Sequence, residues 1–139
     1  MLAKSFLDTN VLLYLYSDEG DKRAIAEQAY HSGHANVSVP VLNELSRVLL
    51  DPKKPFKLSP QKVSATISQL QEFINILPIT SKTLLLGLKI GERYRYSYFD
   101  SFHLATALEN GCDLFFSEDM QSGQLIEGKL RILNPFLDP

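Results

Sequence analysis

Only one cysteine, Cys112, occurs in the chain. An internal disulfide is therefore excluded, and so is a zinc site built from several thiolates. Histidine is scarce as well, limited to His31, His34 and His103. His31 and His34 lie three apart, but Gly33 separates them and no thiolate is near, so the pair does not make a zinc site. No apolar run approaches the roughly 20 residues that span a bilayer, so no membrane association is expected. Lys4 is not followed by a long apolar stretch and a small-residue cleavage site. No signal peptide is expected on that ground, and a cytoplasmic location is. Repeats and low-complexity tracts are missing too. Nor is there an excess of positive charge, since the net charge is −2. The molecule as a whole does not attract nucleic acid, and binding of RNA or DNA would fall to a local patch or to bound cations.

What is present fits one globular domain over residues 1–139, with 45% hydrophobic and 22% charged residues. Strand-like and helix-like runs alternate. Residues 4–7, 36–39, 74–79, 113–117 and 130–133 read as five short strands, the third interrupted by Pro78. Val11 to Tyr16 starts a buried helix or turn. Asp21 is positioned to cap a helix that ends near Gly33, with Ala24, Ile25, Ala29 and Tyr30 inward. Pro40 suits a first helical turn, and Val41, Leu42, Leu45, Val48 and Leu49 then follow helical spacing. Ser59-Pro60 opens another helix, whose inner face is marked by Val63, Ile67, Leu70 and Ile74. Thr80 or Ser81 caps the next, with Leu84, Leu85, Leu88 and Ile90 as its apolar residues. A last helix over 99–108 is closed by Asn110-Gly111. Gly123 and Gly128 flank a segment without a clear pattern. Alternation of this kind implies an α/β fold of three layers, with a central, mostly parallel five-stranded sheet covered by helices on both faces.

Four acids stand out within that pattern. Asp8 ends the first strand in Phe6-Leu7-Asp8-Thr9-Asn10. Glu44 interrupts an apolar helical stripe. Asp100 opens the last helix. Asp119 lies just beyond the fourth strand. Ligands of open parallel sheets collect beyond the carboxyl ends of strands, where the following helices also begin. All four acids are thereby directed to one edge. Two carboxylates about 4 Å apart repel by roughly 4 kcal/mol at an effective dielectric near 20. A cluster of them persists only with some acids protonated or with a divalent cation. An all-carboxylate set favours the hard ions Mg²⁺ or Mn²⁺, which can promote hydrolysis of a phosphodiester.

Each acid has a structural reading beside the functional one. Asp8 and Asn10 fit an Asx-type turn. Glu44 fits a surface acid paired with a base one turn away, and Asp100 fits a helix N-cap. His103, one turn after Asp100, fits a packed or supporting residue better than an acid catalyst. Lys53, Lys54 and Lys57 fit a solvated loop. Arg93 and Arg95, interleaved with Tyr94, Tyr96 and Tyr98 just before Asp100, fit equally a helix end packed on the core and a surface that grips phosphates and stacks bases.

Taken together, Phe6-Leu7-Asp8-Thr9-Asn10-Val11-Leu12, Val41-Leu42-Asn43-Glu44-Leu45, the run from Tyr98 to Ala107, Phe116-Ser117-Glu118-Asp119 and Ile132-Leu133-Asn134-Pro135-Phe136 resemble a PIN domain, in the style of VapC-like toxin ribonucleases of type II toxin-antitoxin systems. The resemblance covers nearly the whole chain. It implies a Mg²⁺- or Mn²⁺-dependent endoribonuclease, a cognate antitoxin that blocks the site, and a homodimer. Carried over by position, the catalytic and metal-holding acids are Asp8, Glu44, Asp100 and Asp119. Thr9, Asn10 and Ser117 support them, and Arg93 and Arg95 are weaker candidates for substrate contact. Ser117 stands where the family more often has threonine, and it keeps the hydroxyl. Glu118 competes with Asp119 for the fourth position; the hydroxyl-x-Asp spacing favours Asp119.

Two other readings use the same residues. A phosphatase with Asp8 as covalent nucleophile would have a second aspartate where Asn10 stands, and a lysine partner that the sequence does not place. A PIN-like module that only binds RNA or protein would have no need to retain all four acids.

Overall fold

Ser5, Phe6 and Leu7 are all buried, and they form β1 (Ser5–Leu7) at the middle of the sheet. The computed structural model describes residues 3–137; positions 1, 2, 138 and 139 of the expected domain lie outside that range. After β1 come α1 (Thr9–Leu13), a single 3-10 turn (Tyr14–Tyr16), α2 (Gly20–Tyr30) and β2 (Ala35–Val37). Then follow α3 (Val39–Leu50), α4 (Pro60–Leu70), β3 (Asn75–Ile76), α5 (Ser81–Tyr94), α6 (Tyr98–Glu109), β4 (Leu114–Phe116), β5 (Leu125–Ile126) and β6 (Leu130–Leu133). No helix of the described residues is long and apolar enough to cross a membrane.

The sheet order is β3-β2-β1-β4-β6-β5, parallel except for the β5–β6 hairpin. From β1 the chain builds outward through β2 and β3, then returns to the other side of β1 with β4. The strand order thus reverses between β1 and β4, and an open α/β sheet forms its ligand crevice at that point. Phe6 and Phe115 stack across this pair at 5.1 Å and anchor the core beneath the crevice.

Several local expectations hold. Pro40 sits in the first turn of α3, Ser59 caps α4 ahead of Pro60, and Thr80 caps α5, whereas Ser38 and Val39, expected in a strand over 36–39, instead cap and open α3. Others need correction. The sheet has six strands because β5 occupies the segment without a clear pattern. Its turn places Glu127 and Gly128 in the left-handed region, at φ 51° and 69°, without the Asn-Gly or Asp-Gly pair that usually signals a tight hairpin. Asp21 lies inside α2 and Glu19 stands at its cap without a side-chain bond. Ala26, rather than Ala24, faces inward with Tyr30. The largest change concerns α5. Leu84, Leu85 and Leu88 are 43%, 63% and 56% exposed, while Thr83, Gly87 and Ile90 are buried. A Cβ on Gly87 would lie 3.2 Å from the Phe102 Cα, and one on Gly91 3.0 Å from the Ser101 Oγ. Close approach to α6 thus selects the face of small residues and turns the leucines outward.

Candidate active site

Asp8 is the first residue past β1 and the N-cap of α1. It is only 5% exposed. One carboxylate oxygen accepts from the Thr9 N–H at 2.8 Å, and the other accepts from the Ser117 hydroxyl at 2.9 Å. Burial still dominates and pushes its carboxyl from 3.8 up to about 7. The negative fields of Asp100 and Glu44 push the same way, and the bonds from Thr9 and Ser117 pull partly back. Three acids from three distant stretches of sequence therefore sense one another at the crevice.

Asn10 joins the two halves of the site. Its amide donates to Ser117 Oγ at 3.1 Å and to Asp119 Oδ2 at 3.0 Å, and it lies 3.4 Å from Asp8 Oδ2. Its carbonyl accepts from the Glu118 N–H at 3.0 Å. The loop after β4 is thereby fastened to the first turn of α1. Within that loop the adjacent acids part company. Glu118 accepts from Lys22 Nζ and from the Tyr14 hydroxyl, both at 2.6 Å, whereas Asp119 stays on Asn10. Asn10→Ala removes all the Asn10 bonds at once. It is expected to destabilise the protein by about 1–3 kcal/mol and to slow any reaction at the site about 10–100-fold, measured by urea unfolding and by initial rates.

Asp100 lies in the first turn of α6, and Ser97 rather than Asp100 caps that helix. The position suits a carboxylate, since the helix N-terminus carries partial positive charge. Glu44 projects from α3 with its side chain 43% exposed, and among the described residues no lysine or arginine pairs with it. Its carboxylate is 3.9 Å from His103 Nε2, too far for a hydrogen bond. His103 is buried, and burial holds its imidazole below the ordinary 6.5 against the pull of Glu44 and Asp100. It is neutral at pH 7, so this contact is not an ion pair. Both its ring nitrogens, and the Thr9 hydroxyl, are buried without partners among the described residues.

The basic residues separate as well. Arg93 pairs with Glu127 at 2.8 Å, and Tyr94 and Tyr96 bond to Glu127 and Gln124. That part of the Arg/Tyr run holds the β5 hairpin to α5. Arg95 is exposed at the left-handed end of α5, and Lys53, Lys54 and Lys57 are exposed in their loop. Arg47 and the exposed Phe99 were not singled out by sequence. Arg47 was detectable only as a base one turn beyond Glu44 on the same helix face.

The donor set is all oxygen and suits a hard cation. Positive charge would relieve the ionisation of buried Asp8 in the fields of Asp100 and Glu44. Among the described residues no three acidic, histidine or cysteine side chains form a ready-made ligand cage. Mg²⁺ does not require one, because it commonly uses one or two carboxylates and keeps several waters.

The model of the family described as PIN domain matches residues 5–122. Among solved structures, a toxin-antitoxin complex from Klebsiella pneumoniae contains a chain similar in fold, with a TM-score of 0.68 and 22% identity, over 95% of this chain and 98% of that one. VapC20 of Mycobacterium tuberculosis, a toxin that cleaves the sarcin-ricin loop, is also similar, with a TM-score of 0.63 and 16% identity, over 83% of this chain and 91% of that one. No curated protein matches.

Proposed function

The chain belongs to the PIN domain family, and from that premise we propose that it is a metal-dependent endoribonuclease, the toxin of a toxin-antitoxin pair. The observation that carries this reading is the buried Asp8 at the sheet's reversal point, ionising in the fields of Glu44 and Asp100. Asp8, Glu44, Asp100 and Asp119 would hold Mg²⁺ or Mn²⁺. Such an ion supplies positive charge to a phosphodiester and makes water a better nucleophile. Ser117 and the Thr9 N–H fix both oxygens of Asp8, and Asn10 keeps Asp119 turned toward it. Glu118 takes no part, being held by Lys22 and Tyr14. The partner is a cognate antitoxin, and the assembly is a cytoplasmic homodimer. The fold likeness to a chain in a toxin-antitoxin complex supports the partner assignment.

The test is cleavage of a structured and an unstructured RNA with Mg²⁺, Mn²⁺ or EDTA, comparing wild type with Asp100→Asn. Cutting is expected only with metal, and the variant is expected to lose more than about 100-fold in rate, beyond what loss of a merely supporting contact does. Asp100 lies partly exposed in a helix first turn, so the variant is expected to melt within a few degrees of wild type. Full activity in Asp100→Asn would remove that residue from the site.

A further inference from the structure

A cavity of about 240 Å³ opens beside the acids, lined by Pro40, Asn43, Glu44, Arg47, Phe99 and His103. Glu44 and His103 connect it to the site described above. Pro40, Asn43, Glu44 and Arg47 recur at i, i+3, i+4 and i+7, so α3 presents them as one face. The opposite wall comes from the start of α6, where Phe99 precedes Asp100.

Two of these residues are not committed to the core, although the Phe99 ring meets the exposed Tyr98 edge-on at 5.3 Å. Phe99 is 66% exposed, so its ring gains little from burial and does not serve the core. Arg47 makes no ion pair with any carboxylate among the described residues. An exposed aromatic face and an uncommitted guanidinium thus flank one small cavity at the edge of an acidic site. The net charge of −2 and the carboxylates around Asp8 repel a polyanion, so an RNA strand needs a local cation beside them. Arg93 does not provide it, because it is committed to Glu127. A water occupies about 30 Å³ of liquid, so the cavity equals the space of several waters. That is the scale of one flat base.

Resting on the nuclease reading above, we propose that this cavity is a single-nucleotide subsite for single-stranded RNA, in which Phe99 stacks on a base and Arg47 holds an adjoining phosphate. Asn43 offers an amide to the edge of the same base and is the group positioned to discriminate among bases. Stacking on an aromatic face tolerates every base, whereas Arg forms directed, paired bonds with phosphate oxygens.

The test measures binding of a fluorescently labelled, unstructured RNA oligonucleotide by anisotropy, with Mn²⁺ present and Asp100→Asn as background to prevent cutting. Phe99→Ala is expected to weaken binding about ten- to a hundredfold, and Phe99→Trp to restore it. Arg47→Gln is expected to lower the dependence of log affinity on log salt by about 0.7, the contribution of one phosphate contact on a single strand. In the cleaving protein, both losses should appear mainly in KM. Wild-type affinity and salt slope in folded Phe99→Ala and Arg47→Gln proteins overturn the subsite and leave this patch to a protein partner. The nuclease reading then still stands if metal-dependent cutting survives in the wild type. If the wild type neither binds nor cuts the RNA, both proposals fall together.

Discussion

Asp8→Asn is expected to abolish cleavage and to make the protein more stable. The carboxyl is buried and pushed to about 7 from an ordinary 3.8. Between about pH 4 and 7 the folded state therefore holds a proton there that the unfolded chain has already released. Through that window the folded state binds more protons, so the Asp8 contribution to stability falls as pH rises. A difference from 3.8 to about 7 corresponds to about 4 kcal/mol. The asparagine introduced by this substitution keeps an acceptor for the Thr9 N–H, but it places an NH₂ near the Asn10 amide. The net gain above pH 7 is accordingly set at about 2–4 kcal/mol, several degrees in Tm. His103 acts in the opposite sense. Its imidazole is held neutral by burial, so stability is lost as pH falls below the ordinary 6.5. The informative quantity is thus the difference between wild type and Asp8→Asn, taken from urea unfolding at pH 4.5 and 8. That difference should grow toward pH 8. An equal difference at both pH values would mean that Asp8 is not strained by its surroundings, and the case for a cation to relieve it would lose its physical basis.

Addition of Mn²⁺ or Mg²⁺ should recover what Asp8 costs. A ligand that binds only the folded state at 100 times its Kd stabilises by about 2.7 kcal/mol, which for a chain of this size raises Tm by about 5–10 °C. Because the cation competes with the proton on Asp8, the rise should be larger at pH 8 than at pH 5. It should largely vanish in Asp8→Asn and persist in Phe99→Ala, which removes an aromatic wall and no ligand. No rise at millimolar Mn²⁺ in the wild type would favour a PIN domain that binds RNA or protein without metal. The covalent phosphatase alternative already finds little support in the geometry. Asn10 stands where a second aspartate would be needed, and Lys22, the lysine at this edge, is committed to Glu118.

Features that depend on near neighbours along the chain were legible in the sequence. Pro40 and Ser59-Pro60 marked helix starts because first-turn preferences and capping depend on residues within one turn. Alternating strands and helices implied the parallel sheet, and with it the shared edge to which Asp8, Glu44, Asp100 and Asp119 belong. Features that depend on contacts between distant stretches came only with the folded chain. The leucines of α5 face outward because Gly87 and Gly91 admit the backbone of α6 more closely than any apolar side chain would. Between Glu118 and Asp119 the hydroxyl-x-Asp spacing favours Asp119 only by resemblance; the physical reason came with the fold, where Lys22 and Tyr14 take one and Asn10 takes the other. Arg93 reads in sequence equally as a packed helix end and as a phosphate contact; its pairing with Glu127, on a hairpin with no turn signature, came only with the fold. Arg47 and Phe99 share a cavity although 52 positions separate them in the sequence. Hydrophobic spacing marks a face only where packing is carried by large side chains. Where small residues, buried charge or long-range pairing decide the outcome, the partner supplies the information, and only folding brings that partner near.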